Sequence, residues 1–352
     1  MLRKLLFLSA FMLNAPAAMA ATHYLRSTPE TVTRGVISPQ VPPVLKIKSG
    51  DTVVIDTLSH GGLSPDPVEF FKRAGITEGQ ILKDAIAVSK MTHKDWGVGT
   101  PGSGHVLTGP IYVEGAEPGD KLEIRIIRIA PRVAYGVNSA GAGGAAPGMM
   151  PPTTPKIIKY DIAKRVVNFA PGITYPLRPF MGIMAVAPPK AVGSRMPGLF
   201  GGNMDFQRLR DGATLYLPVL VPGALFTTGD AHAAQGDGEV SGNALEASMT
   251  ATLQFILHKG EGKDMTNPYA EDKDNYYLLG QDPDLDKALT SAINETVKFL
   301  GKTYGLKAQD AYSLSSVAID FALAQAVDGN LTMYGIVPKA WFKAKPAAPY
   351  WQ

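Results

Sequence analysis

The sequence predicts a mainly β protein with a β-sandwich or barrel-like core and a C-terminal helical pair, so that the class is α+β overall. Glycine and proline number 37 and 28 among 352 residues, whereas charged residues make up only 18%. This balance favours many short strands and turns over long helices. A turn followed by a strand also recurs, starting at Gly50, Gly119 and Asp211. Such repetition is typical of a sandwich or barrel rather than of βαβ units.

The amino-terminal residues 1–20 have the pattern of a secretory signal peptide. Two basic residues precede an apolar run, and Ala18 and Ala20 supply the small residues of a cleavage site. The apolar run is too short to span a bilayer comfortably. We therefore expect cleavage before Ala21 and a periplasmic or secreted protein with no membrane segment after cleavage, an uncleaved anchor being the alternative. Residues 21–43 are polar and marked by prolines, which favours an exposed arm or edge strand.

A β-rich core is predicted from 44 to 260, and we expect it to carry the functional site. Its strands alternate apolar and polar residues or form short apolar runs between turn sequences. The predicted strands are 44–47, 52–56, 121–129, 181–186, 214–221 and 247–258. Two adjacent isoleucines, Ile126 and Ile127, break the alternation and predict a β-bulge. The stretch 138–155, rich in glycine, alanine and proline, predicts a flexible loop, either a lid or a plain insertion.

The remaining residues, 261–352, are predicted to form an α+β portion packed on the core. Apolar residues recur at helical spacing over 285–300, and Asp282 followed by a proline is a signal for a helix start. A second helix is predicted over 308–326 and a closing strand over 331–337. Each helix has an apolar face to bury, so we expect the pair to pack on one side of the β core.

Side chains of the metal-ligand type concentrate in the stretch 197–239. Asp230 and His232 lie two residues apart, so in extended backbone both side chains leave on the same face, where a carboxylate and an imidazole can share one divalent metal. Asp237 and Glu239 repeat that spacing. The neighbouring glycines permit a turn folded around a small ligand, although they equally suit an ordinary hydrogen-bonded hairpin.

Three segments resemble those of a known family. They are GGNMD at 201–205, SGHVLTGPIYVEGAEPGD at 103–120, and TLYLPVLVPGALFTTGDAHAAQGDGEVSGNALE at 214–246. These segments resemble the characteristic blocks of the acetamidase/formamidase family, which hydrolyses short aliphatic amides to the acid and ammonia. The resemblance extends from about Val44 to Phe342 and is weaker at 60–100 and 136–152.

The resemblance implies an amidase, a hydrolase of the carbon–nitrogen bonds of linear amides, with a formamide-like or acetamide-like substrate. The chain has no cysteine, which excludes the cysteine nucleophile of nitrilase-type amidases. No Ser-Ser-Gly run of the serine amidase type occurs either. Metal-activated water is therefore the mechanism that remains by elimination.

Six histidines restrict where a metal can bind. His23 falls in the predicted arm and His258 at a strand end, so a site must draw on the other four, of which His232 is the best candidate. His60 stands where we would expect the family to have an acidic residue. That difference implies a changed metal preference or substrate.

The predicted site combines metal ligands, catalytic groups and substrate-binding groups. It consists of Asp230 and His232, with Asp205 or His60, as metal ligands; Glu114, Glu239 and Asn203 as catalytic residues; and His105 and Gln235 as substrate-binding residues. We expect the metal to be divalent, either zinc or calcium. Of the two glutamates, the one at 114 is the first choice of general base, and the asparagine or the metal would stabilise the oxyanion.

The overall charge indicates which partners to expect. Lysine and arginine exceed aspartate and glutamate by three, and part of that excess lies in the leader, so the chain has no basic footprint for nucleic acid. We expect a small amide as ligand and a homo-oligomer as the assembly. Two alternatives stay open: a periplasmic hydrolase of the same fold that acts on a different amide, and a non-catalytic binding protein that retains the fold.

Overall fold

The computed structural model describes residues 20–63, 65–91, 104–152 and 154–343. The predicted signal peptide lies outside these ranges apart from Ala20. Strands make up 37% of the structure and helices 16%, which confirms the predicted β-rich α+β class. Within the described ranges, no helix is both long and apolar enough to cross a membrane.

Short strands build the framework. In the described residues the first eleven are β1 (Thr22–Leu25), β2 (Val32–Arg34), β3 (Val36–Ile37), β4 (Leu45–Ile47), β5 (Thr52–Asp56), β6 (Val106–Val113), β7 (Lys121–Pro131), β8 (Tyr135–Asn138), β9 (Lys156–Asp161), β10 (Val166–Ala170) and β11 (Ile173–Pro176). The next ten are β12 (Phe180–Ala185), β13 (Val192–Gly193), β14 (Gly201–Asn203), β15 (Thr214–Pro218), β16 (Phe226–His232), β17 (Met249–His258), β18 (Tyr269–Glu271), β19 (Asn275–Asp282), β20 (Asp320–Gln325) and β21 (Leu331–Pro338).

Helices are few in the part of the chain that the structure describes, with two between β5 and β6 and two between β19 and β20. The described residues contain α1 (Pro67–Lys72), α2 (Lys83–Ser89), α3 (Leu285–Tyr304) and α4 (Ala308–Val317), with short 3-10 turns at Glu78–Gln80 and Lys339–Trp341.

Two large sheets enclose the main apolar core. The first has nine strands in the order β1-β5-β17-β7-β15-β18-β19-β21-β20, and the second has six, β14-β12-β16-β6-β2 with β4 beside β6. A four-stranded sheet, β11-β10-β9-β8, and the pair β13-β3 complete the β structure. Inward side chains of both large sheets meet in one cluster, with Ile124 and Leu253 from the first and Met184 and Phe226 from the second. This arrangement is the predicted sandwich-like core.

Strand β17 shows how the sequence produces that core. Its residues alternate between buried and half-buried positions, and Ala251, Leu253 and Phe255 are fully buried. Burial of a large apolar side chain stabilises the fold by roughly 1.5 to 3 kcal/mol. The register between β17 and β7 shifts between Thr252 and Leu253, opposite Ile127, which is exposed. The predicted β-bulge is therefore confirmed.

The turns that precede β5 and β7 share one construction. The Asp51 and Asp120 backbone N–H groups donate to the carbonyls of Lys48 and Glu117, three residues earlier, at 3.1 and 3.0 Å. The Asp51 carboxylate in turn accepts the Lys48 N–H at 2.9 Å, and the Asp120 carboxylate accepts the Glu117 N–H at 2.8 Å. The glycine before each aspartate has φ of 97° or 93°, a conformation that glycine adopts without steric cost. Two of the three recurring turns that the sequence shows thus share one hydrogen-bonded structure, whereas at the third Asp211 accepts the Ile129 N–H instead.

Further donors complete the hydrogen bonding of the Asp51 and Asp120 carboxylates. Asp51 also accepts from the Ala21 N–H at 2.8 Å and contacts His23 Nε2 at 3.0 Å. Asp120 also accepts from the Gly260 N–H at 2.8 Å and from Lys259 Nζ at 2.5 Å. We name Asp51 and Asp120 the turn carboxylates.

The carboxyl-terminal portion confirms the helical pair and corrects its details. The N-cap of α3 is Asp284, whose side chain accepts from two backbone N–H groups, and not Asp282 as predicted. Helix α4 ends at Val317 instead of continuing to 326. The residues that follow, Asp320–Gln325, pair with β21 as β20, because strand pairing and burial of Ala324 outweigh local helix propensity.

The helical pair lies on one side of the carboxyl-terminal strands, as predicted. Phe299 and Leu300 of α3 form a separate apolar cluster with Leu278 of β19 and Val337 of β21. At Gly280 of β19 a Cβ atom would stand only 2.1 Å from a backbone nitrogen of α3, so the helix backbone rests directly on the strand.

Candidate active site

Strand β16 brings the central site residues to one edge of the six-stranded sheet. Asp230 and His232 are its last polar residues, and β16 pairs on one side with β12 and on the other with β6. His105 immediately precedes β6, and His60 lies in the loop that follows β5. Four of the nine predicted site residues therefore meet here although they are distant in sequence.

The carboxylate of Asp230 lies among three imidazole rings. Its Oδ1 is 3.3 Å from His60 Nδ1, and its Oδ2 is 3.7 Å from His105 Nε2 and 3.4 Å from His232 Nε2. The rings of His60 and His105 meet edge to face, with centroids 5.0 Å apart. Burial acts to raise the pKa of Asp230, but the neighbouring histidines hold that pKa well below its usual range.

Glu246 completes this group, and the sequence reasoning missed it. Its Oε2 is 3.3 Å from His232 Nε2 and 3.9 Å from His60 Nδ1, while its Oε1 accepts the Ala244 N–H at 3.0 Å. An isolated antiparallel β-bridge between His232 and Glu246 fixes the position of Glu246 beside the histidine. The available signal was that Glu246 is the last residue of the segment 214–246, on which the family resemblance rests.

Several atoms in this group are buried and have no hydrogen-bond partner. They are His60 Nδ1, Asp230 Oδ1, His232 Nε2 and Glu246 Oε2. Buried polar atoms are normally hydrogen-bonded, so four unsatisfied atoms facing one another require an explanation. Two ligands held about 2.1 Å from one cation are about 3.0 to 3.5 Å apart, close to the separations seen here. We name His60, His105, Asp230, His232 and Glu246 the ligand cluster.

A glycine makes room for the ligand cluster. At Gly182 of β12, a Cβ atom would stand 2.5 Å from Asp205 Oδ1 and 2.9 Å from Asp230 Oδ2. Any larger residue would therefore displace both carboxylates. The sequence predicts only a buried strand over 181–186 and does not indicate a role for this glycine.

The backbone of the site is strained. Asp205, Asp230 and Glu239 have φ of 42°, 50° and 43°, in the left-handed region that residues with a Cβ rarely adopt. Such conformations cost of order 1 to 3 kcal/mol each and cluster at functional sites. Three acids of one site in this conformation support a functional interpretation.

A second group of carboxylates lies beside the ligand cluster. Asp205 Oδ1 is 3.8 Å from His232 Nε2, and Glu239 belongs to the same close group. Asn203 Nδ2 donates to Asp205 Oδ2 at 2.7 Å and to Asp328 Oδ2 at 2.9 Å. Burial, reinforced by the charges of Glu239 and Asp328, raises the pKa of Asp205 well above its usual value.

The same arrangement affects the other two acids and the asparagine. Burial raises the pKa of Glu239 well above its usual value, and it raises that of Asp328 to about 6. Both bonds from the Asn203 amide nitrogen go to carboxylates, so this nitrogen is not free to stabilise an oxyanion, contrary to our expectation. Asp328 was also missed, since nothing in the local sequence near 328 indicates a site.

Gln235 contacts a site histidine. Its Oε1 lies 3.0 Å from His232 Nδ1, and its Nε2 donates to the carbonyls of Asp205 at 2.8 Å and Ala324 at 3.3 Å. With both ends of the amide engaged, Gln235 orients His232 so that Nε2 faces the cluster. On the opposite side, His105 Nδ1 is 3.0 Å from Ser194 Oγ, which directs His105 Nε2 inward in the same way.

The loop that carries Glu239 is attached to the carboxyl-terminal strand β20. The Gly238 N–H donates to the Ala324 carbonyl at 3.0 Å, and the Ala326 N–H donates to the Gly238 carbonyl at 3.1 Å. The site is therefore assembled from both halves of the chain and from a strand near its end.

The structure does not bring Glu114 to the site. His105 precedes β6 and Glu114 follows it, so the whole length of that eight-residue strand, about 26 Å at 3.3 Å per residue, lies between them. Glu114 is exposed, and its N–H donates to the Ile47 carbonyl. The choice of Glu114 as first general base thus lacks geometric support, because a strand carries its two ends to opposite edges of the sheet.

Two cavities flank the site. One, of about 380 Å³, is lined by Gln235 and Glu239 together with Phe169 and Tyr175. The other, of about 520 Å³, is lined by Ser194 and Asp328 among others. Each borders the site through residues that contact the ligand cluster or its neighbouring acids.

Comparison with known proteins gives one consistent result. The family model described as "Acetamidase/Formamidase family" matches residues 74–198 and 191–344. A putative formamidase of Schizosaccharomyces pombe is 27% identical over 46% of this chain and 53% of its own length. The chain thus spans about half the length of the curated relatives that it matches.

Solved structures of similar proteins cover almost the whole chain. A predicted acetamidase/formamidase of Thermoanaerobacter tengcongensis is 26% identical, with a TM-score of 0.75 over 92% of this chain and 97% of its own. An acetamidase of Bacillus halodurans is 28% identical, with a TM-score of 0.74 over 91% of this chain and 98% of its own.

Proposed function

Because this chain belongs to the acetamidase/formamidase family, we propose that it hydrolyses a short-chain aliphatic amide, of the formamide or acetamide kind, to a carboxylate and ammonia. The family match and the names of the relatives support amide hydrolysis. One observation supports the placement of the reaction at the ligand cluster: four buried polar atoms face one another there without partners. Such an arrangement is costly unless a ligand satisfies it.

The donor set fits a divalent cation. The ligand cluster offers three imidazoles, from His60, His105 and His232, and two carboxylates, from Asp230 and Glu246. Imidazole nitrogen favours zinc or another first-row transition metal, whereas calcium prefers oxygen ligands, so we propose zinc rather than calcium. Such a cation, when bound, would polarise the amide carbonyl and make water more acidic.

We propose Glu239 as the general base, in the place first given to Glu114. An oxygen of its carboxylate lies within 4.8 Å of the ligand atoms of Asp205 and His232, and Glu239 also lines the cavity of about 380 Å³ beside the site. A water oxygen adds to the carbonyl carbon as Glu239 accepts a proton. The same carboxylate then gives that proton to the amide nitrogen as the carbon–nitrogen bond breaks, which releases ammonia and the acid.

Ammonia release from a series of amides tests the reaction. We expect metal-replete protein to release ammonia from formamide or acetamide and to stop after exhaustive chelation, with recovery on addition of zinc. Absence of ammonia from every amide tested would refute the hydrolase and leave a binding protein of the same fold. Activity that persists in chelated, metal-free protein would refute the proposed role of a metal but not amide hydrolysis.

A pair of histidine variants tests the ligand cluster directly. His232→Ala should lower both bound metal, measured by elemental analysis, and kcat/KM by more than about a hundredfold, because it removes a metal ligand. His258→Ala is the matched control: His258 pairs with Glu123 on the nine-stranded sheet, away from the cluster. Full metal content in His232→Ala would assign the ligands elsewhere.

We also propose that residues 1–20 direct export to the periplasm. The basic start, apolar run and Ala18-x-Ala20 pattern support this location. Sequencing the amino terminus of protein from a periplasmic extract should give a chain that begins at Ala21. An intact Met1 on cytoplasmic protein would contradict export.

A further inference from the structure

The residue that follows the predicted cleavage point is held through both its N–H and its carbonyl. The Ala21 N–H donates to Asp51 Oδ1 at 2.8 Å, and the Ala21 carbonyl accepts the Thr52 N–H, also at 2.8 Å. Strand β1 begins at the next residue and pairs in parallel with β5 at the edge of the nine-stranded sheet. Leu25, the last residue of β1, is buried in the main core. The fold therefore fixes the position of the Ala21 nitrogen.

The acceptor of this N–H is a buried carboxylate whose second oxygen already has partners. Asp51 Oδ2 accepts the Lys48 N–H at 2.9 Å and lies 3.0 Å from His23 Nε2. Oδ1 is the atom that faces the Ala21 nitrogen. Ala20 is exposed and belongs to no strand, so its removal takes nothing from the core. A chain that begins at Ala21 can thus keep this contact unchanged.

The two turn carboxylates differ in the charge of their partners. Asp120 accepts from the ammonium group of Lys259 at 2.5 Å. The ion-pair partner of Asp51 is His23, whose imidazole is charged only when it is protonated. The peptide N–H of Ala21 is neutral in an uncleaved chain. A free amino terminus at Ala21 would instead be mostly an ammonium group at pH 7, because the ordinary pKa of an α-amino group is about 7.7 to 8.0.

We propose that Asp51 binds the amino terminus that cleavage before Ala21 creates. Hydrolysis of the Ala20–Ala21 peptide bond consumes one water, leaves a carboxylate on the leader and an amine on Ala21, and this amine takes up a proton at neutral pH. The existing hydrogen bond to Asp51 then becomes an ion pair, and charge-assisted hydrogen bonds are about twice as strong as neutral ones. Cleavage thereby stabilises the chain that it produces. The inference rests on the proposed export and is independent of amide hydrolysis.

Two chains that differ only by Ala20 test the proposal. One begins at Ala21 and the other at Ala20, and both have a free amino terminus and the same net charge. In the longer chain the ammonium group stands one residue further from Asp51, and Ala21 keeps its neutral peptide N–H. We expect the equilibrium constant for unfolding at pH 7, measured by urea denaturation, to be about fivefold lower for the chain that begins at Ala21, since hydrogen bonds to charged groups contribute more than neutral ones.

The matched turn supplies the control. Asp51→Asn should abolish the difference in stability between the two chains, because it removes the negative charge that binds the ammonium group. Asp120→Asn, in the turn of the same construction, should leave the fivefold difference intact. Equal stability of the two unsubstituted chains would overturn the proposal, and so would a difference that persists in Asp51→Asn.

Reactivity of the amino terminus gives a second measurement, which does not require Asp51→Asn to fold. An ion pair favours the protonated amine. Acetylation of the terminal amine by acetic anhydride at pH 7, followed by mass spectrometry of the amino-terminal peptide, should therefore be about fivefold slower in the chain that begins at Ala21. The factor is the same because protonation and folding are linked. Equal rates would overturn the proposal.

The cleavage site is decided separately from the ion pair. Sequencing the amino terminus of the exported protein should give Ala21. A different first residue would refute the cleavage site, whereas equal stability and equal reactivity of the two chains would refute only the binding of the terminus by Asp51.

Discussion

The turn carboxylates and the acids of the ligand cluster are equally buried but differ in their partners. Asp51 and Asp120 are 5% and 4% exposed, and Asp230 and Glu246 are 3% and 4% exposed. Each turn carboxylate accepts backbone N–H groups and contacts a basic side chain. Asp230 Oδ1 and Glu246 Oε2 have no hydrogen-bond donor at all. Burial alone therefore does not distinguish the two groups of acids, whereas the presence or absence of hydrogen-bond donors does.

Backbone conformation separates the two groups in the same way. In the turns, the positive φ falls on the glycine before each aspartate, where it costs nothing. In the site, it falls on Asp205, Asp230 and Glu239 themselves. The turns are thus relaxed structures that stabilise the fold, and the site is a strained one that the fold holds in place.

Of the four changes considered, Asp230→Asn should produce the largest effect. We expect it to lower activity and leave the fold unchanged. An amide is a poor substitute for the carboxylate that contacts all three histidines, so we expect bound metal and kcat/KM to fall by more than about a hundredfold. Far-ultraviolet circular dichroism should match that of the unchanged protein. Elemental analysis and an ammonia assay measure the effect. Near-normal activity would show that Asp230 is no more important for the reaction than the turn carboxylates are.

Gly182→Ala should produce the second largest effect, although it changes no charged group. The added Cβ would overlap Asp205 Oδ1 at 2.5 Å, so both neighbouring carboxylates must move. A displacement of about 1 Å at a catalytic site can cost a hundredfold in rate. Gly193→Ala is the control, because a Cβ there meets nothing within 4 Å and no positive φ is involved. Equal rates for the two variants would contradict the proposed positions of the carboxylates.

Asp120→Asn should show the opposite pattern, a loss of stability with activity retained. The asparagine keeps an acceptor for a backbone N–H but loses the charge that holds Lys259 Nζ. We expect the free energy of unfolding to fall by about 1 to 3 kcal/mol, measured by urea denaturation, because hydrogen bonds to charged groups contribute that much. A loss of ammonia release in the folded variant would show that the turn is not purely structural.

The pH dependence of stability should be the smallest effect and should come from the turns. Burial acts to raise the pKa of Asp51 and Asp120, but their donors hold both below the ordinary value of 3.8. A lowered pKa contributes stability that is present above 3.8 and lost as pH falls through the folded-state pKa. Urea denaturation between pH 3 and 7 should therefore show a smaller acid loss in Asp51→Asn/Asp120→Asn than in the unchanged protein. Identical pH curves would contradict this assignment.

Sequence periodicity predicted much of the fold because it reports local burial. The alternation over 247–258 corresponds to β17, and the paired isoleucines mark the bulge opposite Thr252 and Leu253. Periodicity failed in the second half of 308–326. There an apolar run of mixed pattern forms β20 only because β21 is available as a partner. Strand pairing between distant segments leaves no local signal in the sequence.

Residue spacing predicted only the part of the site whose residues are neighbours in sequence, whereas His60 and His105 were predicted as two of the few available histidines. Asp230 and His232 are two apart, and their side chains meet in the structure. Glu246 and Asp328 reach the site through strand pairing and a distant loop, so no spacing indicates them. Glu114 was predicted from its chemistry and its position in a segment that resembles the family, but the length of β6 places it at the far end of the sheet.

The attachment of the Glu239 loop to β20 has a consequence for shortened variants of the protein. The two backbone hydrogen bonds that join Gly238 to Ala324 and Ala326 exist only when residues 320–326 are present. A variant that lacks these residues also loses one of the two carbonyl acceptors of Gln235, which orients His232. Removal of β20 would therefore loosen the site although it removes no residue of the ligand cluster.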